Sequence, residues 1–252
     1  MLGVYFSGTG NTKYCLELLL SELGEEYESV SLESDEIKNK ISENEVIFLA
    51  YPTQFSNVPY IVRDFINTNK ELWNGKKVLC MTTMGAFSGD GAGCAARVLQ
   101  KCGAEIIGGL HVHMPDAVCD NKMLKKSLDE NRRIVDEARE KIRRVAGEIR
   151  NGKYPQEGLN VFYHMAGLFG QRLWFYNKTT GYSKGPKISD ACVGCGMCER
   201  VCPMGNLAIK DGRAINSGKC AMCYRCISGC PKQAITLLGK EVIEQCRVEK
   251  YI

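Results

Sequence analysis

The opening residues, "MLGVYFSGTG", contain no basic segment and no extended apolar run, so they offer neither part of a secretory signal. Nor does any later stretch read as a membrane span. The longest apolar-looking one, "LNVFYHMAGLFGQRLWFY" (159–176), is interrupted by Asn160, His164, Gln171 and Arg172, and an arginine inside a bilayer is costly. A cytoplasmic location is the default expectation. Two nucleotide signatures are also missing. No G-x4-G-K-[ST] loop is present. The dinucleotide pattern G-x-G-x-x-G begins at Gly8 and Gly10 but ends on Lys13, whose side chain cannot serve where a helix packs closely on a strand. Direct oxidation of a nicotinamide is therefore not expected. No separate output domain is visible, which leaves a redox-sensor reading weak.

Cysteine is what the sequence has in excess: 14 among 252 residues. Without an export signal, that number calls for a metal or redox explanation rather than a disulfide scaffold. Cys15, Cys80, Cys94, Cys102, Cys119 and Cys246 are scattered and read as small buried hydrophobes. The other eight form an internal repeat. Cys192, Cys195, Cys198 and Cys202 recur as Cys220, Cys223, Cys226 and Cys230 at a constant offset of 28, and Pro203 recurs as Pro231. Each run is C-x2-C-x2-C-x3-C-P. A loop wrapped on one face of a cubane offers three sulfurs, and in such runs the fourth cysteine ligates the other cluster. The expected sets are Cys192, Cys195, Cys198 and Cys230 for one cluster, and Cys220, Cys223, Cys226 and Cys202 for the second. Zinc is the alternative, although four-cysteine zinc sites usually join two C-x2-4-C pairs. The region 187–237 resembles the two-[4Fe–4S] bacterial-type ferredoxins at all eight ligand positions. The resemblance implies two clusters close enough for rapid one-electron transfer.

Charge is divided unevenly. Residues 1–150 hold 19 basic and 22 acidic side chains, and residues 151–252 hold 14 and 7. The basic half would suit a nucleic acid, but eight thiolates outweigh the positive charge of two cluster cores and absorb much of the surplus. No nucleic-acid partner is needed.

The first 150 residues alternate apolar runs with amphipathic stretches. Strands are expected at 2–6, 28–32, 45–51, 77–83 and 104–114, and helices at 11–23, 35–42, 58–69, 91–102 and 121–150. Several runs are almost continuously apolar, as in parallel strands covered on both faces. The pattern implies a doubly wound α/β sheet. In 121–150, Leu124, Leu128, Val135, Ala138, Ile142, Val145 and Ile149 are expected to form one apolar stripe, the charges being a solvated face. Residues 151–186 form a connector rich in aromatics (Phe162, Tyr163, Phe169, Trp174, Phe175, Tyr176, Tyr182), too apolar for a free linker and expected to pack between two domains. Residues 178–187 read as a loop leading to the cysteines, and "AIKDGRAI" (208–215) as two short strands around an Asp-Gly turn.

"VYFSGTGNTKYC" (4–15) runs from a strand through a glycine-rich turn into a helix, a natural anion site. Ser7, Thr9, Asn11 and Thr12, with Gly8 and Gly10, suit a terminal monophosphate without metal or lysine. The string resembles the FMN phosphate loop of flavodoxins. That resemblance implies a five-stranded sheet of order 2-1-3-4-5 and two further loops around the isoalloxazine. They are Pro52, Thr53, Gln54, Phe55 and Ser56 after the third strand, and Thr83, Met84, Gly85, Ala86, Phe87, Ser88 and Gly89 after the fourth. The usual ring-stacking tyrosine is absent, leaving Phe87, Phe55 or an open flavin face. Asp90 is the main acidic candidate beside the ring. His111 and His113 read as strand-end histidines with hydrogen-bond partners, and His164 as packed among aromatics.

Over nearly its full length the chain resembles the flavodoxin–ferredoxin fusion proteins, the EFR family of ferredoxins. The implied division is a flavodoxin-like FMN domain at 1–150, the connector at 151–186, and a small α+β two-[4Fe–4S] ferredoxin domain with a C-terminal extension at 187–252. The implied function is electron transfer between FMN, two [4Fe–4S] clusters and an external donor or acceptor protein. The alternative is a flavin-dependent reductase of a small molecule, with the clusters feeding FMN. No catalytic residue is named, and a homodimer is left open.

Overall fold

In the computed structural model the described residues are 1–24, 26–182 and 184–252, with the side chains of 176–180, Tyr176 among them, outside the description. The five apolar runs become strands: β1 (Leu2–Tyr5), β2 (Glu28–Ser31), β3 (Val46–Pro52), β4 (Lys77–Met84) and β5 (Glu105–His113). All neighbours pair in parallel, in the order β2-β1-β3-β4-β5. The fold is the expected flavodoxin-like doubly wound sheet. Its chain reverses direction of travel between β1 and β3, and that reversal opens a crevice at the carboxyl ends of the strands.

Two layers of helices cover the sheet. On one face α1 (Asn11–Leu23) and α5 (Leu128–Arg150) pack through Leu16, Leu19, Leu20, Val135, Ile142 and Val145. On the other, α2 (Ile37–Glu43), α3 (Tyr60–Thr68) and α4 (Gly91–Lys101) bury Ile41, Val62, Ile66, Ala95 and Leu99. α5 begins at Leu128 rather than 121. Ser127 is its N-cap, accepting from the Glu130 N–H while the Glu130 carboxylate accepts from the Ser127 N–H, a capping box that fixes the start. Leu124 therefore lies outside the helix, and Leu124 and Leu128 are exposed, not part of the buried stripe.

The connector is helical over more of its length than expected. α6 (Val161–Gly167) passes through a π-helical turn (Leu168–Arg172) into α7 (Leu173–Tyr182), so the expected loop at 178–187 starts inside a helix. Phe175 stacks on Phe55 with centroids 4.6 Å apart, whereas Phe162, Phe169 and Trp174 are exposed.

The cysteine region is built of small pieces. β6 (Lys187–Ile188) pairs antiparallel with β9 (Ile235–Thr236). β7 (Leu207–Lys210) and β8 (Arg213–Asn216) form the expected hairpin, with Asp211 and Gly212 at φ 49° and 74° in its turn. The short helices α8 (Met197–Arg200) and α9 (Arg225–Gly229) each follow a cysteine loop. This region docks on the crevice end of the sheet. Arg225 grips the Glu33 carboxylate with two bonds of 2.7 Å and donates to the Ser7 carbonyl at 2.8 Å. Gln54 Nε2 donates to the Ala221 carbonyl at 2.9 Å, and the Tyr60 hydroxyl to the Lys219 carbonyl at 2.7 Å. The chain then returns to the sheet, where Val248 and Tyr251 are buried with α1 and α5.

Candidate functional site

The crevice has a volume of about 500 Å³. The turn after β1 forms one end. Gly10 enters α1 at φ 93°, a left-handed conformation that glycine adopts freely. Gly8 lies so close to the cysteine region that an added Cβ would overlap the Cys223 carbonyl oxygen. Thr12 Oγ1 shares a 2.7 Å hydrogen bond with Thr83 Oγ1, linking this turn to the loop after β4. Asn11 Nδ2 donates to the Pro115 carbonyl at 2.7 Å, while its buried Oδ1 has no partner among the described residues. An unpaired buried acceptor is costly, and a ligand hydroxyl would satisfy it.

Of the residues expected around a flavin, Ser7, Gly8, Thr9, Asn11 and Thr12 line the crevice, as do Pro52 to Phe55 and Thr83 to Phe87. Gly10, Ser56, Ser88 and Gly89 do not; they support it from behind. Gly10 lies under Val248, and Ser56 Oγ donates to Gln171 Oε1 at 2.7 Å. Ser88 Oγ is bonded to Thr53 Oγ1 at 3.0 Å, and Gly89 abuts Gly167. Phe55 and Ser56 hold φ 50° and 57°, strained values for such residues, in the loop that turns toward the crevice.

Asp90 and His164 depart from expectation. Asp90 is fully buried and faces the connector instead of the crevice. It takes hydrogen bonds from Arg172, from Arg97 at 2.6 Å and from His164 Nδ1 at 2.8 Å. Burial pushes its carboxyl up, but the bonds from His164, Arg172 and Arg97 outweigh this and hold it below the ordinary carboxylate range. His164 is thus a hydrogen-bond partner of Asp90, not an aromatic packing residue. His113 Nε2 lies 2.8 Å from the Gly85 carbonyl, and burial pushes His111 down to about 4, so both are strand-end histidines as expected.

Sequence reasoning missed a third wall. The segment after β5 contributes Met114 to Val118 and Asn121, the connector contributes Gln171, Phe175 and Tyr182, and the cysteine region contributes Met222, Cys223, Tyr224, Leu237 and Leu238. Asp116 is the acidic group in the crevice, its carboxylate against Gly85; burial raises its pKa. The "MPD" at the end of β5 was the available signal, since it follows the strand next to the expected loops.

The eight repeat cysteines surround two small cavities. Cys202, Cys220, Cys223 and Cys226 line one, and Cys192, Cys195, Cys198 and Cys230 line the other. Backbone N–H groups point at the sulfurs: Asn206 to Cys202 at 3.2 Å, Met222 to Cys220 at 3.3 Å, Ala214 to Cys192 at 3.4 Å and Ala234 to Cys230 at 3.3 Å. Such donors favour the thiolate, and those from Ala214 and Gly194 lower the pKa of Cys192. Among the described residues, no three His, Cys, Asp or Glu side chains converge closely enough for a single metal ion. Sulfurs around a cavity suit a multi-iron core better than zinc, which needs four donors near about 2.3 Å. The two cradles differ in position. Cys223, Tyr224 and Leu237 line both the first cradle and the crevice, whereas among the described residues none of the second cradle does.

A family model described as the flavodoxin domain matches residues 2–154, more than half of the chain. The chain belongs to the flavodoxin family. A second model, the 4Fe–4S dicluster domain, matches residues 191–235. Together the two domains imply FMN and 4Fe–4S clusters as cofactors of this flavodoxin and make it an electron-transfer protein. The chain is 38% identical over 71 residues to one subunit of the Na(+)-translocating ferredoxin:NAD(+) oxidoreductase complex of Acetobacterium woodii, a match covering 27% of this chain and 21% of that protein. It is 31% identical over 68 residues to an uncharacterized ferredoxin of Methanocaldococcus jannaschii, covering 24% of this chain and 43% of that one. The chain thus spans about a fifth of the length of the first relative. Similar solved structures include a flavodoxin from the domain Archaea (16% identity, 60% of this chain and 96% of that one, TM-score 0.44). Another is oxidised flavodoxin 2 from Bacillus cereus (21% identity, 60% and 97%, TM-score 0.44). Among the described residues no helix is long and apolar enough to cross a membrane.

Proposed function

We propose that the crevice binds FMN and that the cysteines hold two [4Fe–4S] clusters in crossed sets, one by Cys192, Cys195, Cys198 and Cys230, the other by Cys220, Cys223, Cys226 and Cys202. The turn at Ser7–Thr12 takes the phosphate, Asn11 Oδ1 accepts from a polyol hydroxyl, and the loops at 52–56 and 83–89 flank the ring. Bound there, FMN supplies one- or two-electron chemistry and each cluster one-electron chemistry. The chain's own part is to hold these sites in line. Residues 1–150 supply the flavin site, 187–252 the clusters, and 151–186 one wall.

One observation carries this reading: Cys223 and Tyr224 belong to both the crevice and one cradle. A redox centre in that near cradle is separated from the crevice by a single layer of protein. The far cradle has Cys195 exposed and Cys192 half-buried, so it offers the outlet. The protein is an electron relay between the flavin site and an external redox protein, working in the cytoplasm. The likeness to the Acetobacterium woodii protein is consistent with one-electron exchange at the cluster region.

Competition between FMN and riboflavin tests the flavin assignment. Binding to the flavin-free chain should favour FMN by tenfold or more, about 1.4 kcal/mol. Equal affinity would remove the phosphate site and the reading with it. The reduced, fully loaded protein should discharge once into a small-molecule oxidant. Sustained turnover would favour the reductase alternative.

A further inference from the structure

Six cysteines lie outside both cradles, and three of them are not the isolated hydrophobes expected: Cys94 Sγ accepts from Arg172 at 2.9 Å, and Cys119 and Cys246 form a pair. Cys119, in the segment after β5, and Cys246, near the C-terminus, are both buried, at 0% and 2% exposure, and belong to the same buried cluster. The backbone holds them together independently: the Cys119 carbonyl accepts from the Ile243 and Glu244 N–H groups at 2.9 and 3.2 Å. Lys125 Nζ donates to Cys246 Sγ at 2.7 Å, and Ser228 Oγ lies 3.1 Å from Cys119 Sγ. The sulfurs are thus differentiated. The neighbouring Cys119 thiol and the Lys125 ammonium hold Cys246 below its ordinary pKa against the effect of burial, while Cys246 and burial push Cys119 up. One thiolate against one thiol is the arrangement from which disulfides form.

The position gives the pair a consequence. Two residues after Cys246, the Val248 N–H donates to the Thr9 carbonyl at 2.9 Å, and its side chain covers Gly10. Three residues before Cys119, Asp116 lines the crevice opposite that turn. We propose that Cys119 and Cys246 form a reversible disulfide that ties the C-terminal strap, and through it the phosphate-binding turn, to the segment after β5.

The oxidant is a low-molecular-weight disulfide, RS–SR. The Cys246 thiolate attacks one sulfur, the S–S bond breaks and RS⁻ leaves. That RS⁻ takes the proton of the Cys119 thiol. The Cys119 sulfur then attacks Cys246 and expels the second RS⁻. Two electrons pass from the dithiol to the reagent, leaving one RSH and one RS⁻. Residues 240–247 contain no helix or strand, and local opening of this strap gives the reagent access.

The test uses the full chain, loaded with FMN and clusters, equilibrated without oxygen in glutathione buffers of graded redox poise. After acid quenching and alkylation, mass spectrometry should find a peptide linking Cys119 to Cys246, lost again in reducing buffer. Both cysteines alkylated at every poise, or linked elsewhere, would overturn the proposal. Lys125→Met should slow disulfide formation severalfold without preventing it; an unchanged rate would remove the lysine from the account. FMN release should be severalfold slower from the oxidised protein, and unaffected by oxidation in Cys119→Ser or, should that variant misfold, Cys246→Ser. Release unchanged by the disulfide would overturn the strap. The release arm rests on the FMN reading, whereas detection of the linkage does not, so the two can fail separately.

Discussion

The near and far halves of the cysteine repeat bend their backbones alike but with different residues. In the far half, Gly194 and Gly196 hold φ 62° and 75°; at the equivalent positions of the near half, Met222 and Tyr224 hold 52° and 61°. A left-handed conformation costs a side-chain-bearing residue roughly 1–2 kcal/mol, which glycine avoids. The near half accepts that cost where its side chains build something. Met222 and Tyr224 line the crevice, and the Tyr224 hydroxyl is 3.0 Å from Asp120 Oδ1. Asp120 in turn accepts from the N–H groups of Leu238 and Gly239 at 2.9 and 3.1 Å, fixing the crevice wall. The far half faces outward and has nothing to build there. A third pair, Gly205 and Gln233, repeats the exchange at φ 55° and 48°, but Gln233 is exposed and the structure gives no reason for it. The same ligand loop can therefore serve an internal or an external centre, depending on what occupies its left-handed positions.

The largest expected effect comes from the cysteines that cross between halves. Cys202→Ala should empty the near cradle and Cys230→Ala the far one, each variant keeping about half its iron and a different EPR signal. Loss of the same signal in both would mean that each run closes on itself. Next is the flavin side. Thr9→Ala with Thr12→Ala removes two hydroxyls of the proposed phosphate turn, each worth about 1.5–3 kcal/mol to a charged group, so FMN affinity should fall about a hundredfold or more while iron content stays unchanged. Fluorescence titration and iron analysis read both. Smaller effects are expected from the backbone. Gly196→Ala meets only the flexible tip of Arg200, so its cost in urea unfolding should be the conformational one, about 1–2 kcal/mol. Gly194→Ala should cost more, because its Cβ would collide with the Gly212 carbonyl.

A further effect concerns Asp90, buried against the connector and away from the far cradle. Its pKa is depressed in the folded chain, so its contribution to stability is present above the unfolded value of about 3.9 and lost as pH falls through the folded value. Asp90→Asn should lower stability at pH 7, and the difference from the parent chain should shrink on acidification. A difference that persists or grows in acid would show that the ion pairs with Arg97 and Arg172 are not its source.

Local pattern made much of this legible. Continuous apolar runs marked the strands, the hydroxyl-rich turn marked the entrance to α1, and the offset of 28 marked the cysteine repeat. What stayed hidden depended on partners distant in sequence. Asp90 read as a flavin neighbour because nothing local announces Arg172 and His164, and the crevice acid proved to be Asp116. Helix α5 read too long because the apolar residue at 124 matches its period, whereas the Ser127 cap decides its start. Tyr224 and Met222 gave no sign of a crevice wall, since their role follows from how the cysteine region docks on the sheet.

The central claim is that only the near cradle shares a wall with the crevice. A flash-photolysis comparison of Cys202→Ala and Cys230→Ala, each loaded with FMN and reduced by a small-molecule radical that needs no docking at the far cradle, tests it most directly. Flavin bleaching should persist in Cys230→Ala as an internal step whose rate does not change with protein concentration, and should be lost or become concentration-dependent in Cys202→Ala. Equal loss in both variants, or the reverse order, would contradict the account.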